Sequence, residues 1–130
     1  MDTVTQFPFA ISDERDVGIV LSDGCRLSAR VWMPLNAAEH PVPAVLEYIP
    51  YRKSDGTLPR DEIMHKYVAS NGYACVRVDM RGNGDSEGLM ADEYTIQELA
   101  DACELIERLA EQPWCTGSVG MMGKSWGGFN

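Results

Sequence analysis

The spacing of hydrophobic and polar positions changes several times along this chain. Up to about Asp16 no period is visible, which predicts an N-terminal arm or loop. Val17–Leu21 is a short run rich in β-branched residues. Ser22-Asp23-Gly24 follows, and Asp-Gly is a strong tight-turn signal because glycine takes positive φ without a Cβ clash. Cys25, Leu27, Ala29, Val31 and Met33 then alternate with Arg26, Ser28, Arg30 and Trp32 up to Pro34. Such alternation predicts the second arm of an antiparallel hairpin, one face buried and one wetter. Asn36–Pro43 is a loop, and Ala44–Ile49 a mostly buried strand ending at Pro50-Tyr51. Arg52–Arg60 is polar and predicts a long loop. Asp61–Ser70 predicts a helix, with Ile63 and Tyr67, and Met64 and Val68, paired at i,i+4 and Asn71-Gly72 as its stop. Tyr73–Met80 is a second buried strand, followed by a glycine-rich loop, Arg81–Gly88.

The clearest helical signal begins at Thr95, where Thr95-Ile96-Gln97-Glu98 forms a capping box, and ends at Pro113. Ile96, Leu99, Cys103, Ile106 and Ala110 recur at helical spacing and predict the buried stripe. Glu98, Asp101, Glu104, Glu107 and Glu111 then fall on the predicted solvated face. Ser118–Met122 is a third buried strand, running directly into Gly123-Lys124-Ser125-Trp126-Gly127. A hairpin followed by strand, helix, strand, helix, strand predicts the α/β class, with a parallel βαβαβ sheet and right-handed crossovers. In such sheets the ligand lies at the carboxyl ends of the strands. The loops from Tyr51, Arg81 and Gly123 all project from that edge.

Composition narrows the picture. A chain of 130 residues, 45% hydrophobic and 24% charged, suits one globular domain. Acidic residues outnumber basic ones 20 to 11, and the net charge of -9 repels phosphate backbones and anionic lipid, so neither nucleic acid nor a membrane is expected as partner. The 4 cysteines, Cys25, Cys75, Cys103 and Cys115, form no C-x-x-C pair, and His40 and His65 sit beside none of them. No metal site and no cofactor are therefore expected. Three of the cysteines fall in apolar periodic segments, where buried free thiols are the common state. The first residues carry no secretory pattern, and no apolar run is long enough to span a bilayer. A reducing, cytoplasmic setting is the expectation.

Chemistry concentrates in the three loops. Gly123-Lys124-Ser125-Trp126-Gly127 is a G-x-S-x-G pattern placed directly after a buried strand. That context suits a serine on a sharp strand-to-helix turn, with its hydroxyl in the cleft and the Trp126 N–H aimed at a developing oxyanion. Tyr51 stands where the first parallel strand stops. Its local sequence favours an amphipathic surface residue, and an oxyanion donor is the alternative. In Asp79-Met80-Arg81-Gly82-Asn83-Gly84-Asp85-Ser86-Glu87-Gly88, Asp79 and Arg81 are expected to orient the loop through hydrogen bonds and an ion pair. A phosphate-binding loop ending in Gly123-Lys124-Ser125 is one alternative. Its first glycine belongs at position 118, where Ser118 stands. A dinucleotide site at Gly82, Gly84 and Gly88 is another, but the next helix opens only near Thr95. A non-catalytic binding module is the third.

Together these stretches resemble the CocE/NonD hydrolases, the family that includes cocaine esterase-like enzymes and X-Pro dipeptidyl-peptidases. The resemblance runs from about Val17 to Asn130. It rests on the Asp23-Gly24 hairpin, Pro50-Tyr51-Arg52-Lys53, Asp79–Gly88, and Gln112-Pro113-Trp114 through Val119-Gly120-Met121 to the serine turn. It implies an α/β-hydrolase fold, Ser125 as nucleophile, and both Tyr51 and the Trp126 N–H as oxyanion donors. The substrate implied is a small ester, amide or peptide. In this family the triad aspartate and histidine follow the serine, whereas both histidines here precede it. Residues 1–130 are accordingly expected to be the N-terminal portion of a longer hydrolase, inactive alone and completed by a C-terminal remainder.

Overall fold

The computed structural model describes all residues from Met1 to Asn130. The elements run β1 (Ile11–Val20), β2 (Arg26–Pro34), β3 (Val42–Ile49), α1 (Leu58–Ser70), β4 (Ala74–Asp79), α2 (Ile96–Ala110), β5 (Cys115–Met121) and α3 (Trp126–Phe129). The five strands form one sheet in the order β1-β2-β4-β3-β5. β1 and β2 are the expected hairpin, turning at Gly24 with φ of 88°. β2 runs antiparallel to β4, and β4, β3 and β5 are parallel.

The N-terminal expectation is corrected: pairing begins at Ile11, not Val17, with an irregularity between Glu14 and Val17. The polar stretch is an edge strand held by side chains. Asp13 accepts two hydrogen bonds from Arg30 at 2.8 Å, and Asp16 accepts one from the Ser28 hydroxyl at 2.6 Å. Likewise α1 starts at Leu58, because Pro59 fits the first turn, where its missing N–H has no intrahelical role.

Strand alternation divides the core. Leu46, Tyr48, Val76 and Val78 face α2 and pack with Leu105 and Leu109. The opposite face carries Trp32 and Cys75, against Ala69 of α1. From β3 the first crossover leads through α1 to β4 on one side. The second leads through α2 back past β3 to β5 on the other. The carboxyl ends of β3 and β5 therefore flank the point where strand order reverses, the place where open α/β sheets bind ligands.

α2 buries a different face from the one predicted, and α1 turns its i,i+4 apolar residues mostly outward. In α2, Ile96 and Leu99 are 87% and 61% exposed, while Glu98, Asp101, Ala102, Leu105 and Leu109 are buried. In α1, Ile63, Met64 and Tyr67 are exposed, while Asp61, His65 and Ala69 are buried. The acidic residues go inward because each has a partner there. No helix is long and apolar enough to cross a membrane.

Candidate functional site

β5 leads into a turn where Ser125 has φ 54° and ψ −130°. For a residue with a Cβ this left-handed backbone costs on the order of 1–3 kcal/mol and persists only where the surroundings enforce it. The enforcement is close packing of the two arms. A Cβ on Gly123 would overlap the Gly127 carbonyl and sit 2.9 Å from Gly128 N. One on Gly127 would lie 3.1 Å from the Ile49 side chain. The Gly128 N–H donates to the Ser125 carbonyl at 2.8 Å, which closes the turn into α3. The Ser125 side chain lies on the exposed surface of this turn.

Tyr51, half-buried at the end of β3, donates its phenol O–H to the Lys124 carbonyl at 3.5 Å. The structure therefore brings Tyr51 beside the serine turn. Its loop is fixed from below: Lys53 is buried, its backbone N–H donates to Asp79, and its ammonium pairs with Asp85. Asp79, the last residue of β4, also accepts the Asp85 N–H at 2.9 Å. Burial raises the Asp79 carboxyl pKa, while those N–H donors and the Lys53 charge pull it down. Gly84, at φ 52°, allows the loop to close directly on this carboxylate. The glycine-rich loop thus folds around Asp79 and opens no helix at Gly82–Gly88, unlike a dinucleotide site. Arg81 pairs with Asp101 at 2.7 Å and with Asp23 at 2.7 Å, and the Asp101 hydrogen bond is the main reason its pKa rises. The expected orienting roles of Asp79 and Arg81 are both present in the geometry.

Two side-chain clusters, one partly and one fully buried, escaped the sequence reading. Trp126 donates its indole N–H to Glu98 at 2.7 Å, and its ring lies against Tyr94 with centroids 5.3 Å apart. The capping box at Thr95 was a usable signal, since it turns Glu98 back toward the backbone. On the α1 side, Arg77 is fully buried. It donates to Glu47 at 2.7 Å, to Asp61 at 3.2 Å and to the Thr57 hydroxyl at 2.7 Å. His65 Nε2 lies 2.8 Å from Glu47, and its ring stacks on Trp32. His65 is thus a buried member of this network. An arginine inside an apolar strand was the available signal, since a buried guanidinium requires acidic partners. Neither histidine hydrogen-bonds Ser125, and His40 is exposed. No group of three or more His, Cys, Asp or Glu side chains is arranged to hold a metal ion.

A mixed sheet with helices on both faces, and a strained turn at the edge where strand order reverses, is the architecture of the α/β-hydrolase class. Residues 23–130 match the X-Pro dipeptidyl-peptidase (S15) family, and the chain belongs to that family. It is 35% identical over 113 residues to cocaine esterase from Rhodococcus sp., covering 85% of this chain and 19% of that one. Among solved structures, it is similar to a CocE/NonD family hydrolase from Staphylococcus aureus. That likeness has TM-score 0.75 and 20% identity, covering 91% of this chain and 27% of that chain. An α-amino acid ester hydrolase is similar at TM-score 0.65 and 25% identity, covering 97% of this chain and 23% of that chain. The chain spans about a fifth of the length of the curated relatives it matches.

Proposed function

We propose that these residues form the nucleophile end of a serine hydrolase that cleaves small esters or amides through an acyl-enzyme. The left-handed backbone of Ser125, on an exposed turn at the reversal point of the sheet, carries this reading. Ser125 Oγ attacks the substrate carbonyl as a histidine takes its proton. The Tyr51 O–H and the Trp126 backbone N–H stabilise the tetrahedral oxyanion. The histidine returns the proton to the leaving group, and water then releases the acyl group. The chain spans about a fifth of its relatives, so we assign the histidine and its aspartate to sequence outside residues 1–130, and these residues alone are not expected to turn over substrate. Cleavage of X-Pro peptides is the second reading, and the family match favours it. The acidic balance and the four free cysteines suit a cytoplasmic enzyme with no nucleic-acid partner.

The test is covalent labelling of the full-length protein with a fluorophosphonate. Wild type is expected to label and Ser125→Ala to lose the label, and equal labelling of both refutes the assignment. Tyr51→Phe removes one oxyanion donor and is expected to lower kcat by roughly two orders of magnitude. An unchanged kcat returns Tyr51 to a surface role.

A further inference from the structure

The two sequence neighbours of Ser125 are anchored unequally. On one flank the Lys124 ammonium lies 3.8 Å from Asp61, and its side chain is 65% exposed. A pair so loose and wet holds little. On the other flank Trp126 donates its indole N–H to Glu98 Oε1 at 2.7 Å, and Glu98 is 8% exposed. The second carboxylate oxygen is also engaged, accepting the Tyr94 backbone N–H at 2.9 Å. With both oxygens held, the carboxylate cannot turn away from the indole. Tyr94 has φ 55°, and its ring rests on Trp126, so the segment entering α2 is shaped around the same tryptophan.

A strained turn keeps its geometry only when its surroundings over-determine it. Contact between Gly123 and Gly127 fixes the two arms of the turn to each other. Their joint orientation is set by ties to the rest of the fold, among them Gly127 against Ile49 and the Asn130 amide donating to the Tyr48 carbonyl at 2.7 Å. The Trp126 indole is such a tie, because α2 packs on the sheet through Leu105 and Leu109. We propose that Glu98 is a positioning residue for the serine turn: through the indole it sets the direction of the Trp126 backbone N–H relative to Ser125. This rests on the serine-hydrolase reading above. Glu98 therefore serves two purposes, capping α2 and aiming the turn.

The two purposes separate by mutation of the full-length protein. Thr95→Ala removes the hydroxyl that accepts the Glu98 N–H at 3.1 Å and weakens the cap without touching Trp126. Trp126→Phe removes the indole donor and leaves both the backbone N–H and the Glu98–Tyr94 bond. Fluorophosphonate labelling rates, with kcat and KM on p-nitrophenyl acetate, are measured for Glu98→Ala, Glu98→Gln, Trp126→Phe, Thr95→Ala and the Glu98→Ala/Trp126→Phe double variant. Glu98→Ala and Trp126→Phe are each expected to lower the labelling rate and kcat by about tenfold or more, with KM little changed. The double variant is expected to be no slower than either single one. Glu98→Gln, which offers one acceptor in place of two, falls between, and Thr95→Ala stays at the wild-type rate. The inference is overturned if Glu98→Ala or Trp126→Phe labels like wild type, or if Thr95→Ala loses as much as Glu98→Ala. Should Glu98→Ala not fold, Trp126→Phe and Glu98→Gln decide. Labelling of Ser125→Ala at the wild-type rate refutes the hydrolase reading instead.

Discussion

Gly123→Ala perturbs the serine turn while removing none of the candidate side chains. Its Cβ would overlap the Gly127 carbonyl and sit 2.9 Å from Gly128 N. All of these are backbone atoms, so no side chain can swing aside. To restore ordinary van der Waals separation the arms must part by about 1 Å or more. Gly127 is buried, with Tyr48 and Ile49 of β3 behind it, so α3 cannot retreat into the sheet. The movement therefore passes through Ser125, whose hydroxyl and flanking N–H lose their alignment. A displacement of about 1 Å at reacting groups costs on the order of a hundredfold in rate. We expect Gly123→Ala in the full-length protein to lose about that factor in kcat/KM on p-nitrophenyl acetate and in fluorophosphonate labelling rate. Thermal unfolding run in parallel separates an opened turn from a lost fold. Gly18→Ala is the matched comparison. The atoms nearest its Cβ belong to the Arg26 guanidinium, on a side chain 35% exposed that can move away, and its rates should equal wild type. Labelling of Gly123→Ala at the wild-type rate refutes the claim that close packing of two glycines maintains the strained serine.

Three further outcomes follow from the buried groups. Arg77→Met leaves Glu47 and Asp61 buried without their shared cation and should destabilise the fold by about 3–5 kcal/mol, read as a lower urea midpoint. An unchanged midpoint contradicts the network. Arg60, and then Arg77 and Thr57, hold the Asp61 carboxyl well below its ordinary value of 3.8. A depressed carboxyl stabilises the fold above its unfolded pKa and loses that contribution as pH falls through its folded one. The Tm gap between wild type and Asp61→Asn should thus hold steady near neutral pH and narrow below about pH 4; a gap that widens on acidification reverses the sign. Burial, assisted by the nearby Glu47 charge, pushes the Cys75 thiol up to about 12. Iodoacetamide at mildly alkaline pH should modify Cys75 only after denaturation, and prompt native labelling contradicts its burial.

Turns and helix caps were more legible in the sequence than the faces the helices bury. Asp23-Gly24 marked the hairpin turn, Thr95 and Pro113 bracketed α2, and the glycines around Ser125 marked the sharp bend. These signals are local, since each depends on the conformational limits of a few adjacent residues. The buried sides of α1 and α2 depended on partners far along the chain. Asp101 turns inward because Arg81 meets it from 20 positions away, and Glu98 because Trp126 meets it from 28 positions away. A hydrophobic count sees neither partner and assigns both acids to water. The same blindness hid β1 before Val17, where Asp13 and Asp16 are bound by Arg30 and Ser28 of the neighbouring strand.

Asp61, Glu98 and Asp101 share a location, which gives them a common physical role. α1 and α2 both begin at the carboxyl edge of the parallel strands. Asp61 and Glu98 lie in their first turns, where the helix dipole favours negative charge. Each acid then receives a donor or cation belonging to a loop or strand that forms the candidate site: Lys124 and Arg77 at Asp61, Trp126 at Glu98, and Arg81 at Asp101 one turn further along α2. A buried ion pair adds little net stability over a well-packed apolar substitute, while removal of one partner is costly. Such pairs fix direction more than they add stability, because a carboxylate with both oxygens engaged permits few arrangements of what it binds. Part of the acidic excess of the chain is therefore spent at the sheet edge. There Asp101 holds the Arg81 loop, and Glu98 holds the Trp126 side of the Ser125 turn.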